Sequence, residues 1–133
     1  MSNQKSFAQQ VREKYGDTVR EFSFRLGVSE YTINKWEKNS PTTTLHTALL
    51  EYANTYEMSM KPEPPAHFVQ LPPAKKIEWL MRYFGCGIDA LAARLRIDKS
   101  TVRDWKRKNR LSSPAKRYLD EMATHPENFM LFK

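Results

Sequence analysis

The side chains that could do chemistry in this chain are mostly basic, and they are crowded into one short segment. Residues 99–117 contain eight lysines and arginines and a single acidic side chain, Asp104. The basic members are Lys99, Arg103, Lys106, Arg107, Lys108, Arg110, Lys116 and Arg117. Such a cluster is typical of a surface that meets a phosphate backbone, although a solvated basic face that only promotes solubility has the same composition.

The sequence offers no catalytic or metal-binding constellation beside this cluster. The one cysteine, Cys86, excludes an internal disulfide and a zinc site built from cysteines. His46, His67 and His125 are scattered without metal-ligand spacing, and no nucleophile has a base close to it. We therefore expect a protein that binds rather than catalyses, with no metal and no cofactor.

The overall composition bounds the class of protein. The chain has 133 residues, 40% of them hydrophobic, which is enough for one ordinary domain or two small ones. Residues 1–61 carry eight basic and seven acidic side chains, whereas residues 62–133 carry fourteen and eight. No run approaches the roughly 18 apolar residues of a membrane helix, and the first residues lack the pattern of a secretory signal. We expect a cytoplasmic protein with no membrane partner.

The basic segment lies in the second copy of an internal repeat. The stretch RLGVSEYTINKWEKN at residues 25–39 corresponds to RLRIDKSTVRDWKRK at residues 94–108, an offset of 69 residues. Beyond residue 108 the similarity continues at an offset of 70, with Leu49 opposite Leu119, and it covers about 46 residues in total. Such a repeat indicates two similar structural units in one chain.

A proline-rich segment separates the two copies. Five of the eight prolines lie in residues 59–74, and because proline fixes φ and removes an amide donor, this segment is expected to be extended and partly stiff. Its apolar side chains offer the alternative that it docks on a domain. The predicted organisation is a first domain over residues 1–58, a linker over 59–74 and a second, more basic domain over 75–133.

Hydrophobic spacing predicts that both copies are all-α, with no alternating strand pattern. Gly27 permits the left-handed turn that ends one helix, and Ser29 then caps the next. In the second copy Asp98 takes the capping position, and Arg96 replaces the glycine, so that it must adopt φ > 0 or use a different turn. The residues predicted to lock the motifs from within the core are Leu26, Ile33, Trp36, Leu95, Val102 and Trp105.

This order of elements is a helix-turn-helix layout: a helix, a turn, and a capped helix that buries an aliphatic residue and a tryptophan. The stretch TVREFSFRLGVSEYTINKWEKNSPTTTLHTALLEYA resembles the Xre-like, Cro/repressor-type regulators and the related HigA-type antitoxins in its LGVS, its Thr-Ile pair, its WE and its later proline. The second copy resembles them less closely, since Arg96, Asp98 and Lys106 replace a glycine, a serine and a glutamate. The resemblance implies two tandem helix-turn-helix domains that repress transcription, in a phage or another mobile element.

The outward face of each predicted recognition helix supplies the candidate site, because that face enters the major groove while the opposite face stays in the core. The side chains expected to read bases are Tyr31, Asn34, Lys35 and Lys38 in the first copy and Ser100, Arg103, Asp104 and Arg107 in the second. The side chains expected to contact phosphates are Ser29, Thr32, Lys99, Thr101, Lys106, Lys108 and Arg110. Other interpretations pair Glu37 with Arg20 or Arg25, and Asp104 with Lys108.

Two classes of function follow from these expectations. The first is a sequence-specific regulator of transcription that places its two recognition helices in adjacent major grooves of a double-stranded DNA operator. The second is an antitoxin-like or dimerising protein, whose near-neutral first domain binds a toxin or a second copy while only the second domain binds DNA or RNA. RNA is the weaker alternative because the sequence lacks the exposed aromatic run that single-strand binding usually employs.

Overall fold

The structure, a computed structural model, describes residues 5–130, and this part of the chain is all-helical. Its α-helices are α1 (Phe7–Tyr15), α2 (Val19–Leu26), α3 (Glu30–Lys38), α4 (Thr44–Thr55), α5 (Ala66–Val69), α6 (Pro73–Phe84), α7 (Ile88–Leu95), α8 (Lys99–Lys108) and α9 (Ser113–Thr124), followed by a 3-10 helix (Pro126–Phe129). The predicted all-α class is confirmed. No helix within residues 5–130 combines the length and the apolar character needed to cross a membrane.

The chain divides into two compact units. Unit 1 ends at Lys61 and unit 2 begins at Pro62. Unit 1 contains α1 to α4, and unit 2 contains α5 to α9 and the 3-10 helix. The two units are described separately below.

Local capping chemistry explains where the helices begin. Thr18 forms a capping box with Glu21 at the start of α2, and the Ser29 hydroxyl accepts from the Thr32 amide at the start of α3. Each cap satisfies amide donors that have no partner within the helix. Gly27 ends α2 at φ 71°, which is the left-handed turn predicted for this glycine.

Arg96 ends α7 in the left-handed region, at φ 61°. Its amide donates to the Ala93 carbonyl at 3.1 Å, and the Ile97 amide donates to the Ala92 carbonyl at 3.1 Å. These bonds repeat the C-terminal turn that Gly27 makes in unit 1. The first of the two predicted alternatives for Arg96 is therefore confirmed, at the steric cost that a side chain incurs in this region, about 1 kcal/mol.

The core of each unit holds most of the residues predicted to lock the motifs. Leu26, Ile33 and Trp36 are buried in unit 1, and Leu95 and Val102 are buried in unit 2. Trp105 is only half-buried, so the prediction that it lies in the core is met less fully than for Trp36. The Trp36 ring lies 5.3 Å from the ring of His46, whereas the smaller Ala115 stands at the corresponding position of unit 2.

The helix boundaries keep the offset of 69 residues through the fourth helix of the repeat. Helix α4 begins at Thr44 after the cap Thr43, and α9 begins at Ser113 after the cap Ser112. The predicted shift to an offset of 70 is wrong, because α8 is one residue longer than α3 and the loop after it is one residue shorter. At the offset of 69 the buried positions of the two helices coincide: Ala48, Leu49, Leu50, Tyr52 and Ala53 match Arg117, Tyr118, Leu119, Glu121 and Met122.

Each unit holds an arginine in the same surroundings. The Arg25 guanidinium lies 4.3 Å from the Tyr15 ring centroid and donates to the Met58 carbonyl. The Arg94 guanidinium, 69 residues later, lies 4.8 Å from the Phe84 ring centroid and donates to the Phe129 carbonyl at 3.3 Å. In both units the arginine therefore links the preceding helix, α1 or α6, to the segment that follows α4 or α9.

The carboxylate beside this arginine is present in unit 1 and missing from unit 2. Asp17 accepts from Arg25 Nε at 2.8 Å and from Nη2 at 3.1 Å. Cys86 stands at the corresponding position, and the Cys86 amide donates to Met81 as the Asp17 amide donates to Arg12. Among the described residues, Arg94 Nε is buried without a hydrogen-bond partner.

The segment predicted as an extended linker packs instead into unit 2. Residues 66–69 form α5, Phe68 is fully buried, and α6 already begins at Pro73. The buried Lys76 ammonium donates to the carbonyls of Phe68 at 2.8 Å and Val69 at 3.1 Å, and it lies 4.5 Å from the Phe68 ring centroid. Burial lowers the pKa of Lys76. The alternative that this segment docks on a domain is therefore the correct one for residues 66–74.

Candidate nucleic-acid interface

Helix α3 presents the predicted base-reading side chains to solvent. Tyr31 is 76% exposed, and Asn34, Lys35 and Lys38 are exposed as well. Because Ile33 and Trp36 anchor the opposite face, the helical period places these four side chains outward. The outward face of α3 is therefore available to a ligand.

The charge of α3 is balanced, with two basic and two acidic side chains. One of the acids, Glu37, pairs with Arg12 of α1, with distances of 2.6 Å to Nε and 3.3 Å to Nη2. The expectation that Glu37 pairs with Arg20 or Arg25 is wrong, because α1 packs beside α3 and brings Arg12 closer. This hydrogen bond raises the pKa of Arg12. Glu30 remains as an exposed acid at the start of the helix.

The hydroxyl groups predicted to contact phosphates on α3 already have partners. The Ser29 hydroxyl caps the helix through the Thr32 amide at 3.1 Å, and the two hydroxyl groups lie 2.9 Å apart. Ser29 is exposed and Thr32 half-buried. A hydroxyl group has two acceptor lone pairs and one donor, so this pair can still meet a phosphate.

Helix α8 presents a far more basic face. It carries five basic side chains and one acidic side chain in ten residues. Ser100, Arg103 and Arg107 are exposed, Asp104 and Thr101 are half-buried, and Val102 anchors the helix in the core. Ile88, Ser100, Arg103, Asp104, Lys106 and Arg107 together line one open depression. The structure thus brings the predicted base-reading residues of the second copy to one surface.

Carboxylates of α8 and α6 engage part of this basic face, at Asp104 and Glu78 respectively. Asp104 lies 2.7 Å from Arg107 Nη2 and 3.9 Å from Lys108 Nζ, so its expected pairing with Lys108 is the weaker of two contacts. The hydrogen bond from Arg107 lowers the pKa of Asp104. Glu78 of α6 lies 3.6 Å from Lys106 Nζ. Exposed pairs of this kind contribute little to stability, so phosphate oxygens can replace the carboxylates.

Two predicted phosphate contacts remain without an ion-pair partner in the described part of the chain. Lys99 begins α8 and Arg110 follows its end, and both are exposed. Neither of them has an acidic side chain within 4 Å among residues 5–130. They are the two cations of the site whose charge is least compensated.

One further contact that the sequence did not predict joins Arg103 to Asp89 of α7. Arg103 Nη2 lies 2.7 Å from Asp89 Oδ1 and 2.9 Å from Oδ2. The two residues are fourteen positions apart, so no spacing rule within one helix indicates the pair. Only the packing of α7 against α8 brings them together.

No set of histidine, cysteine and acidic side chains within residues 5–130 is arranged to hold a metal ion. Unit 1 offers the outward face of α3 as a candidate site, and unit 2 offers the outward face of α8 together with the cations at its ends. A search of family models, curated proteins and solved structures finds no match to this chain.

Proposed function

We propose that the protein is a sequence-specific double-stranded DNA-binding regulator of transcription, with α8 as its principal recognition helix. The observation that supports this most strongly is the outward face of α8. Exposed Arg103 and Arg107 stand above a buried valine on a helix with five basic side chains and one acidic side chain. A helix of this kind fits the major groove, where arginine recognises guanine through its O6 and N7 atoms.

Cations at both ends of α8 complete the proposed interface. Lys99 and Arg110 are placed to contact phosphates, which position a protein on DNA without specifying sequence. Lys106 and Lys108 join them once their carboxylate partners are exchanged for phosphates. Arginine and lysine contacts of this kind supply most of the affinity and make it dependent on salt.

Helix α3 contributes less affinity in this proposal. Asn34 can bind adenine bidentately, and exposed Tyr31 can meet a thymine methyl group or a phosphate. The helix has no excess of basic side chains, so its contacts add selectivity more than electrostatic attraction. The resemblance to Cro/repressor-type regulators suggests repression, including of the protein's own operon.

The test is a selection of binding sites from random duplex DNA with the full-length protein at two salt concentrations, followed by the variants Arg103→Ala and Asn34→Ala. We expect a defined site, a loss of preference at one base pair for each variant, and weaker binding at higher salt. Absence of any enriched sequence, or enrichment that neither variant changes, contradicts the proposal.

A second candidate function rests on unit 1 alone. Phe24 is 62% exposed and Tyr31 is 76% exposed, and large exposed aromatic side chains are enriched at protein interfaces. In this alternative unit 1 binds a second copy or a protein partner, as an antitoxin binds its toxin, and only unit 2 binds nucleic acid. Light scattering of wild type and Phe24→Ser tests self-association: a dimer that the variant dissociates supports the alternative, and a monomer restricts it to a different protein as partner.

A further inference from the structure

We propose that Asp89 is a positioning residue that makes Arg103 selective for guanine. This inference rests on the proposed function and adds to it a residue from outside the recognition helix. Asp89 lies in the first turn of α7, so it acts on DNA through Arg103 rather than by touching a base itself.

The geometry of the pair leaves the arginine able to bind a base. Both oxygens of Asp89 accept from one nitrogen, Nη2 of Arg103. Among the described residues, Nε and Nη1 of Arg103 have no acceptor. A guanidinium group carries five donor hydrogens in a fixed fork, so a side chain held through Nη2 keeps hydrogens to offer to guanine.

Holding the side chain in advance improves recognition for an entropic reason. A long, exposed arginine loses rotamer freedom when it binds, and a partner that already fixes the guanidinium lowers that cost. The pair is exposed, at 53% and 52% for the two side chains, so it contributes little to folding stability. Its effect therefore falls on binding rather than on the fold.

The carboxylate also discourages a competing use of Arg103. A free arginine on this face binds any phosphate, which adds affinity without selectivity. Asp89 repels phosphate oxygens while it orients the guanidinium, so it weakens binding to random DNA. Selectivity gained by penalising the wrong ligand is a general device in recognition.

The corresponding positions of unit 1 lack this arrangement. Asp89 corresponds to Arg20 and Arg103 corresponds to Asn34 at the offset of 69 residues. The Arg20 guanidinium lies over the Phe24 ring instead, 5.6 Å from its centroid. An arginine oriented by a carboxylate is therefore present on α8 and not at the corresponding position of α3. The two units would accordingly recognise bases in different ways.

The experiment compares Asp89→Asn with the matched control Glu127→Gln in the full-length protein. Both variants remove one negative charge from an exposed side chain of unit 2 at nearly constant size, but Glu127 pairs with His125 and not with α8. Arg103→Ala first identifies the base pair that Arg103 reads in the selected site. Affinities of all variants are then measured for duplexes with guanine or adenine at that position, and for random DNA.

We expect wild-type protein to prefer guanine by about tenfold or more at this position, and Asp89→Asn to reduce that preference to about threefold. The same variant should raise the affinity for random DNA, while Glu127→Gln leaves the preference unchanged. An unchanged preference in Asp89→Asn overturns the inference and leaves the proposed function intact, provided that Arg103→Ala removes the preference. An equal loss of affinity for every duplex, with a lower melting temperature, shows a structural role and also overturns it. If the wild-type protein prefers no duplex, the proposed function fails and the inference fails with it.

Discussion

The position occupied by Asp17 in unit 1 and by Cys86 in unit 2 allows a reciprocal test of the internal repeat. The perturbation is to give unit 2 the missing carboxylate through Cys86→Asp and to remove the carboxylate of unit 1 through Asp17→Asn. Arg25 and Arg94 sit in matching surroundings, but only Arg25 has a carboxylate partner for its Nε. We expect the first substitution to stabilise unit 2 and the second to destabilise unit 1.

The expected magnitudes follow from burial. The side chains of Arg25 and Asp17 are 14% and 6% exposed, and removing one partner of a buried ion pair costs about 3 kcal/mol at the lower end of the usual range. In unit 2 a new hydrogen bond to a charged group contributes about 1.5–3 kcal/mol. The desolvation of the new carboxylate at a half-buried position offsets part of this gain, which leaves about 1 kcal/mol.

The assay is urea unfolding of the full-length protein followed by nuclear magnetic resonance of the tryptophan indole signals. Trp36 reports on unit 1, and Trp105 reports on unit 2. For units of this size the free energy of unfolding falls by about 1 kcal/mol for each 1 M increase in urea concentration. The Cys86→Asp midpoint should therefore rise by about 1 M, and the Asp17→Asn midpoint should fall by about three times as much.

Cys86→Asn is the control, because it has nearly the same size and no charge. If Cys86→Asp unfolds at or below the urea concentration at which Cys86→Asn does, residue 86 does not face Arg94 as residue 17 faces Arg25. The correspondence between the two arginine sites would then be limited to the backbone.

Three further predictions concern charge and burial. Lys99→Ala and Arg110→Ala should each flatten the slope of log affinity against log salt by about 0.9, and two unchanged slopes would exclude them as phosphate contacts. Lys76→Met should speed amide exchange in α5 by about tenfold or more, because it removes donors to two carbonyl groups; unchanged exchange would mean that other contacts hold α5. Burial, and then the charge of Lys35, lower the pKa of His46 below 6.5, so the folded unit binds fewer protons than the unfolded chain. The stability that neutral His46 contributes is complete above pH 6.5 and is lost as the pH falls through the lower pKa of the folded state. His46→Gln should remove this pH dependence from the unfolding of unit 1. An unchanged pH profile would assign the dependence to another group.

Features that depend on neighbouring residues were predictable from the sequence. The Ser29 cap and the glycine turn at Gly27 follow from local backbone chemistry, whereas at Arg96 the sequence left a left-handed turn and a different turn both open. The outward position of Asn34 and Arg103 follows from the helical period once the inward residues are known. These predictions needed no knowledge of which helices pack together.

Features that depend on packing between helices were not predictable in the same way. The Arg103–Asp89 pair and the docking of Phe68 join segments whose spacing in the sequence carries no signal. The prediction of an extended linker relied on proline content, which restricts φ but does not prevent a short helix or a buried phenylalanine. The half-buried Trp105 differs from Trp36 because the side chains around it differ, although the two residues occupy the same place in the repeat.

The charge on the outward helix faces of the two units bears on the proposed function. Both units contain the arginine over an aromatic ring, but the outward faces of α3 and α8 differ strongly in charge. A surface that only promotes solubility works best with both signs interspersed, and like charges four residues apart destabilise a helix. Helix α8 nevertheless places Lys99, Arg103 and Arg107 at that spacing, and Asp89 and Asp104 relieve only part of the repulsion. An arrangement that is unfavourable in the free protein becomes favourable when a polyanion occupies the face, which supports the proposed phosphate-bearing ligand over solvation alone.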